Sequence, residues 1–536
     1  MKRYLVVLAL SVGLLGQVAV AGTRLASVYV ESISALQTQL LQAAQVFEAP
    51  ELGSAPMIMS MMIPGFAQID KNAPVGIHVY AGGEDKVGVV ISLTPSVAPE
   101  VFLGGLLAMQ GATLPDAVDG RYVTPKGVAQ MQGEQLLIGR KVQDLDLALQ
   151  TGIPAVLPVV PGLIRLDVAP ATLVEILGEL EALALEAMPA DAEQREMLQK
   201  GMGFYRRGLA QVASFQQGIG ITEQGLVCRS RMLPQPGRAL EAIVQSLQPV
   251  DATWVAQLEE GRLFGAVAGA YSIREDILRS VLDMYLSWMQ TVPEEFAMDP
   301  ALVRAMFEPS MATVGAPTFW FANMGDAGSF AMLGGVRVPD AENLLQQMIA
   351  LSTGETYQKQ MAASGMKVSD PVARVVNDQT VYRWSVELDE EAFLKQLREA
   401  GAPDADQADL APLKQVLDMF LSGYDYAATA EGLAFGIGAE AGIAQAMQLL
   451  GGGKSTSRTL LERIGAPVAP YMVARFDLIA WMQVLEQFEA APVPVVAGPG
   501  EGVLFAGWRV GAAVEQMMLI PAADIRALKA AAQAAQ

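Results

Sequence analysis

One order of elements recurs along this chain and limits what it can fold into: strand, helix, β-hairpin, helix. Its closing part, hairpin then helix, is plainest at 218–247, GIGITEQGLVCRSRMLPQPGRALEAIVQSL. There Leu226, Cys228, Ser230 and Met232 share one face of a strand, and Val227, Arg229 and Arg231 share the other, the alternation of a sheet with one wet face. A turn at Glu223-Gln224-Gly225 precedes the strand. Pro234 and Pro236 end it, because proline has no amide hydrogen to give a ladder. Leu240, Ile243, Val244 and Leu247 then follow at helical spacing.

The same order can be followed from the start. Residues 25–31 read as a strand and 33–47 as a helix with Leu36, Leu40 and Leu41 inward; EAPELGSAP reads as a loop before the Met-rich MIMSMMIPGF. A hairpin of 75–81 with 87–93 leads through Pro95 to a helix at 101–109. A second hairpin, 127–132 with 135–139, precedes a helix at 142–149. Beyond the proline-rich TGIPAVLPVVPG come a strand at 163–168, a helix through Leu183 capped by Thr172 and Glu175, and a helix at 192–212.

A second pass begins with a strand at 262–271. Ser272 and Glu275 would cap a helix carrying Ile277, Leu278, Val281 and Leu282 on one face. A hairpin of 318–323 with 330–338 follows, then a helix from Pro339 to near Leu351, a strand at 381–388, a helix at 390–397, and a loop at 402–411. The pass closes with a hairpin within 424–437, a helix through Leu450, a strand at 472–477, a helix at 478–488, a hairpin of 503–508 with 514–520, and an Ala-rich helix from Pro521.

Laid side by side, the two passes match in order. Ser32-Ile33 answers Ser272-Ile273, and GEQLLIG at 133–139 answers GLAFGIG at 432–438. Ile164-Arg165-Leu166-Asp167 answers Ala474-Arg475-Phe476-Asp477, and Pro234 answers Pro521. The expectation is an α+β fold made by tandem duplication of βαββα units, with antiparallel sheets covered by helices. Self-similarity on this scale marks an internal repeat. Within each half the order resembles the split βαβ, or ferredoxin-like, arrangement; the resemblance is one of topology and names no family. The division read from the sequence is a signal peptide at 1–21, a first half at 22–250 with sub-units about 22–150 and 162–250, and a related second half at 260–536 with sub-units about 260–450 and 465–536.

The signal peptide rests on Lys2 and Arg3, the apolar run after them, and Ala19-Val20-Ala21 as a small-residue cleavage signal. Retention of that segment as an anchor is the alternative. With cleavage no integral membrane span is expected. The formal charge is −21, which speaks against nucleic acid and anionic membrane surfaces as partners, since both select basic patches. With Cys228 as the sole cysteine among 536 residues, no intramolecular disulfide can form. Stability must come from buried apolar area, and 52 % hydrophobic against 17 % charged residues points to large cores or to a persistent apolar surface.

No set of catalytic residues assembles in the sequence. His78, the one histidine, lies in VGIHVYA and is read as a strand residue with a hydrogen-bond partner, since there is no second histidine to build a site. Ser364-Gly365-Met366-Lys367 matches S-x-x-K but lacks its K-T-G partner. Gly451-Gly452-Gly453-Lys454-Ser455 lacks the upstream glycine of a phosphate loop and follows a helix, so it reads as a connection. Met57, Met59, Met61 and Met62 offer thioethers suited to Cu(I), yet methionine more often fills irregular apolar space. Asp404, Asp406 and Asp409 miss calcium-loop spacing. Asp167 and Asp477 stand at strand ends, where a cap or turn is the ordinary role. Cys228 reads as a buried sheet residue. Neither a cofactor nor a metal is expected.

Export, apolar composition and the missing catalytic set together suggest an exported, periplasmic or extracellular, non-enzymatic binding or structural protein. It would offer an apolar surface or groove to a lipid-like ligand or a protein partner. Two alternatives stand beside it: an exported hydrolase whose site converges only in three dimensions, and a structural component of the cell envelope.

Overall fold

The computed structural model describes residues 23–62, 65–81, 87–108, 111–124, 127–153, 159–170, 192–259, 263–289, 299–324, 330–399, 423–438, 440–452, 459–465, 467–487 and 500–534, with single positions between 174 and 185. Helices alternate with antiparallel strands, an α+β architecture. The chain divides into two compact units, Met1–Glu241 with Gly511–Arg526, and Ala242–Val510 with Ala527–Gln536. Among the described residues no helix is long and apolar enough to cross a membrane.

The first unit holds β1 (Thr23–Val30), β2 (Val75–Ala81), β3 (Val87–Leu93), β4 (Arg121–Thr124), β5 (Gly127–Gln132), β6 (Gln135–Gly139), β7 (Ile164–Val168), β8 (Val212–Thr222) and β9 (Gly225–Pro234). Their antiparallel order is β4-β5-β6-β3-β2-β1-β7-β8-β9. A strand from the far end of the chain, Ala513–Pro521, returns to lie beside β9, pairing from Val514 with Met232 to Pro521 with Gly225.

Because side chains alternate along a strand, the register gives each face its own character. One face carries Tyr80, Val90, Val128 and Leu137 into a core with Leu145 and Ala148 of the helix Val142–Thr151. On the other, Leu93 and Leu136 pack with Phe66, Phe102 and Leu103. Farther along that second face Ile77 lies opposite Ile91, and Ile164 opposite Ile219. These four are 38–41 % exposed.

In the second unit the strands are β10 (Phe264–Ala268), β11 (Thr318–Met324), β12 (Phe330–Val336), β13 (Met366–Val368), β14 (Val372–Val376), β15 (Gln379–Trp384), β16 (Val386–Leu388), β17 (Tyr424–Thr429), β18 (Gly432–Ile437), β19 (Met472–Phe476) and β20 (Val503–Val510); the returning strand Ala513–Pro521 is β21. Their antiparallel order is β14-β15-β17-β18-β12-β11-β10-β19-β20, with β13 and β16 paired apart. Each unit thus builds outward from its first strand in the same way. β1 is flanked by β2-β3-β6-β5 and by β7-β8; β10 is flanked by β11-β12-β18-β17 and by β19-β20.

Three hairpins share one local device, a T-x-x-G turn in which the threonine hydroxyl bonds the glycine carbonyl. Thr124 meets Gly127 at 2.8 Å, Thr222 meets Gly225 at 3.3 Å, and Thr429 meets Gly432 at 3.0 Å. The side chain thereby fixes the register from which each hairpin starts.

Several expectations change. EAPELGSAP is not a loop: the helix Pro50–Met62 takes most of it, with Pro50 at the first position, where its fixed φ suits a helix start, and Glu51 in the first turn. Ser272 does not cap a helix. Residues 269–271 stay extended through Gly269 N–H to Tyr471 O and Tyr271 N–H to Gly315 O, so the helix starts at Glu275. The single strand expected at 381–388 is two, parted at Ser385, whose amide and carbonyl are both taken by Ser369. The helix expected at 192–212 ends at Leu209, and β8 begins at Val212. Cys228 is partly exposed, on the same face as Ile219 and Met518. The capping box at Thr172 and Glu175 lies outside the described residues.

Candidate functional site

The second unit contains a cavity of about 520 Å³, within the range of about 300–1,000 Å³ typical of small-molecule sites. Its floor is sheet: Trp384 of β15, Tyr424 and Tyr426 of β17, and Leu433 of β18. Its walls are helical. Met306 and Pro309 come from the helix Pro300–Met311, Leu344, Met348 and Leu351 from Ala341–Ser352, and Tyr357 and Met361 from Glu355–Ala363. The pair β13–β16 adds Met366, Val368 and Val386.

The orientation of β17 follows from its sequence, YDYAAT. Alternation puts Tyr424 and Tyr426 on one face and Asp425 on the other. Asp425 is buried, with the Arg374 guanidinium at 2.8 Å and that of Arg383 at 3.6 Å. Rotating or slipping the strand by one residue would strip this carboxylate of its cations, so the ion pairs hold the two phenols toward the cavity.

Most polar groups of the lining are spent within the chain. Trp384 Nε1 donates to Ser352 Oγ at 2.8 Å, and that hydroxyl bonds Ile349 O at 3.0 Å. Ser310 donates to Met306 O and Thr313 to Ser310 O. The phenols differ: among the described residues no hydrogen-bond partner meets the hydroxyl of Tyr357, Tyr424 or Tyr426. Burial pushes the Tyr426 phenol up to about 12. It also raises Tyr357 and, with help from the nearby Tyr357 phenol, Tyr424. All three stay protonated at neutral pH. Tyr426 is further set by edge-to-face packing on Trp384, centroids 5.3 Å apart at 87°.

Among the described residues no acid, base or thiol lines this space. Its described lining has no nucleophile paired with a base and no ion pair for a charged group. It can take an apolar body and give it hydrogen bonds from phenols, while four methionine thioethers (Met306, Met348, Met361 and Met366) adapt to its shape.

Those residues singled out in the sequence that the structure describes do not line this cavity. His78 is fully buried in the first unit, Nδ1 2.9 Å from Ser27 Oγ and Nε2 2.8 Å from Ser92 Oγ. Burial first, and then the Arg24 charge, lower its pKa to about 4. Asp167 meets Arg24 at 2.8 Å, two positions of the sheet away. Asp477 accepts from Ala480 N–H at 2.9 Å at the start of the helix Leu478–Gln487, and from Gly500 N–H at 3.1 Å.

Ser364 ends the helix Glu355–Ala363 and bonds back to Gln360 O, while Lys367 pairs with Asp389 at 2.8 Å on the surface. Gly451 and Gly452 follow the helix Glu440–Leu450; Lys454 and Ser455 lie outside the described residues, as do Asp404, Asp406 and Asp409. Met57 is exposed on the helix Pro50–Met62. Among the described residues no three His, Cys, Asp or Glu side chains are placed to hold a metal ion.

The tyrosines escaped the sequence reading. The Y-D-Y alternation in 424–426 was a visible signal for two of them, but nothing in the sequence joined it to Tyr357, some seventy residues earlier on a helix not anticipated. No protein family, curated protein or solved structure matches this chain.

Proposed function

We propose that the protein is a non-enzymatic binding protein that holds a small apolar, lipid-like molecule in the cavity of its second unit. The observation that carries this reading is the cavity itself: ligand-sized, floored by Trp384, Tyr424 and Tyr426, walled by Leu and Met, and without an ionised group among its described lining. Lys2, Arg3, the apolar run and Ala19-Val20-Ala21 support export to the periplasm or beyond. The shared order of neighbours around β1 and around β10 supports descent of the two units from one duplicated βαββα ancestor.

Diphenylhexatriene, a neutral hydrocarbon that fluoresces in apolar surroundings, tests the cavity directly. The full chain is expected to bind it at one site, and Met348→Trp, which fills the space from the wall, is expected to abolish binding while leaving the thermal transition within a few degrees. Unchanged binding by a folded Met348→Trp protein would overturn the assignment.

A further inference from the structure

We propose that Tyr357, Tyr424 and Tyr426 form a hydrogen-bond donor cluster that selects, among apolar molecules, those with a neutral carbonyl head such as an ester or ketone. The inference rests on the reading that this cavity binds a ligand, and it names the chemistry of that ligand. Its ground is an imbalance in the lining. Ser310, Thr313, Ser352 and Trp384 give their hydrogens to groups of the chain, whereas the three phenols have no partner among the described residues. A phenol hydrogen not committed to the chain becomes a source of specificity in an apolar pocket when a ligand supplies its acceptor.

An ionised head does not fit. A carboxylate would have to leave water with no cation among the described lining residues, and an ammonium with no anion. The phenols remain neutral donors across the physiological range, because burial opposes their ionisation. Asp425, with Arg374 and Arg383, fixes the strand that carries two of them, so the donors are set before the ligand arrives. The methionines serve the other end, where a flexible chain of variable shape needs soft contact more than geometry.

The test displaces diphenylhexatriene from the full-length protein with four molecules of similar length: methyl laurate, tridecane, laurate and dodecylamine. Methyl laurate is expected to displace the dye at a concentration about tenfold lower than tridecane, the worth of one or two well-made hydrogen bonds. Laurate and dodecylamine are expected to be weaker than tridecane. In the Tyr357→Phe, Tyr424→Phe, Tyr426→Phe triple variant the ester and the alkane should become equal, with affinity for the dye kept within about twofold, since only three oxygens are removed. If the triple variant does not fold, the three single variants replace it, each expected to lose part of the ester preference. Equal displacement by ester and alkane in the unmodified protein, or tighter binding of laurate, would overturn the donor cluster while leaving the apolar cavity standing. Failure of the dye itself to bind would remove the cavity reading, and the donor assignment with it.

Discussion

His78 shows how much of a residue's chemistry is decided by its neighbours. Each ring nitrogen is matched to a serine hydroxyl, and Arg24 stands close by. The imidazole therefore stays neutral in the fold down to about pH 4, whereas an unfolded chain protonates it near its ordinary value of about 6.5. A folded pKa below the unfolded one means that the stability tied to this residue is fully present above pH 6.5 and is lost as the pH falls, because the unfolded state takes up a proton that the fold refuses. Between pH 7 and 5 the expected loss is about 2 kcal/mol, at 1.36 kcal/mol per unit. Urea unfolding of the full chain and of His78→Asn at both pH values checks it: the variant should lack this part of the decline, and parallel slopes would refute it. The sequence reads this lone histidine as a strand residue with a hydrogen-bond partner, and two such partners are present. It did not show that serines on both neighbouring strands would close over it, because Ser27 and Ser92 reach His78 only through the pairing of β1, β2 and β3.

At the scale of elements, hairpins were the most legible feature; in two of them, at Thr222 and Thr429, a T-x-x-G turn contributes, while the third such turn, at Thr124, escaped because the strand before it is only four residues long. A threonine that bonds forward to a glycine carbonyl states a turn locally, without help from the rest of the fold. Gly225 is required for a further reason. Its φ is +147°, and a Cβ there would press on the Ile520 carbonyl of β21, a backbone atom that cannot step aside. Gly225→Ala is expected to cost about 3 kcal/mol or more, combining strain with that clash. Gly133→Ala, at a turn with φ +62° and open space around the new methyl, should cost only about 1 kcal/mol. Chemical denaturation of the two variants tests the contrast, and equal losses would refute it. The elements that escaped had weak local signatures. The helix Glu355–Ala363 has no buried residue, Pro50–Met62 contains Pro56 and Gly53, and β14 leaves both Val372 and Val375 exposed. Their form depends on what they pack against, which a single sequence does not state.

At the scale of the whole molecule, the mix of helices with antiparallel strands was readable, while the cavity and the path of the last strand were not. The cavity joins elements at 300–311, 341–363, 366–388 and 424–433. The linear pattern holds each piece but not their convergence. The final strand is a sharper case. Laid out along the sequence, β21 belongs to the second half, yet it lies in the first compact unit and completes the sheet beside β9. From Leu226 to Met232, then, the backbone of β9 is held from both sides, by β8 and by β21. A chain ending at Val510 would leave β9 as an open edge, with alternate amides turned to water and Arg231 deprived of Glu515. Hydrogen exchange on such a chain should show protection lost at alternate amides of β9 by at least about tenfold, with β10, β11 and β12 still protected, because local opening follows the pairing a segment has lost. Uniform loss across both units would mean that β21 serves the whole chain as one cooperative body, and unchanged protection of β9 would mean that its pairing with β21 contributes nothing to the sheet.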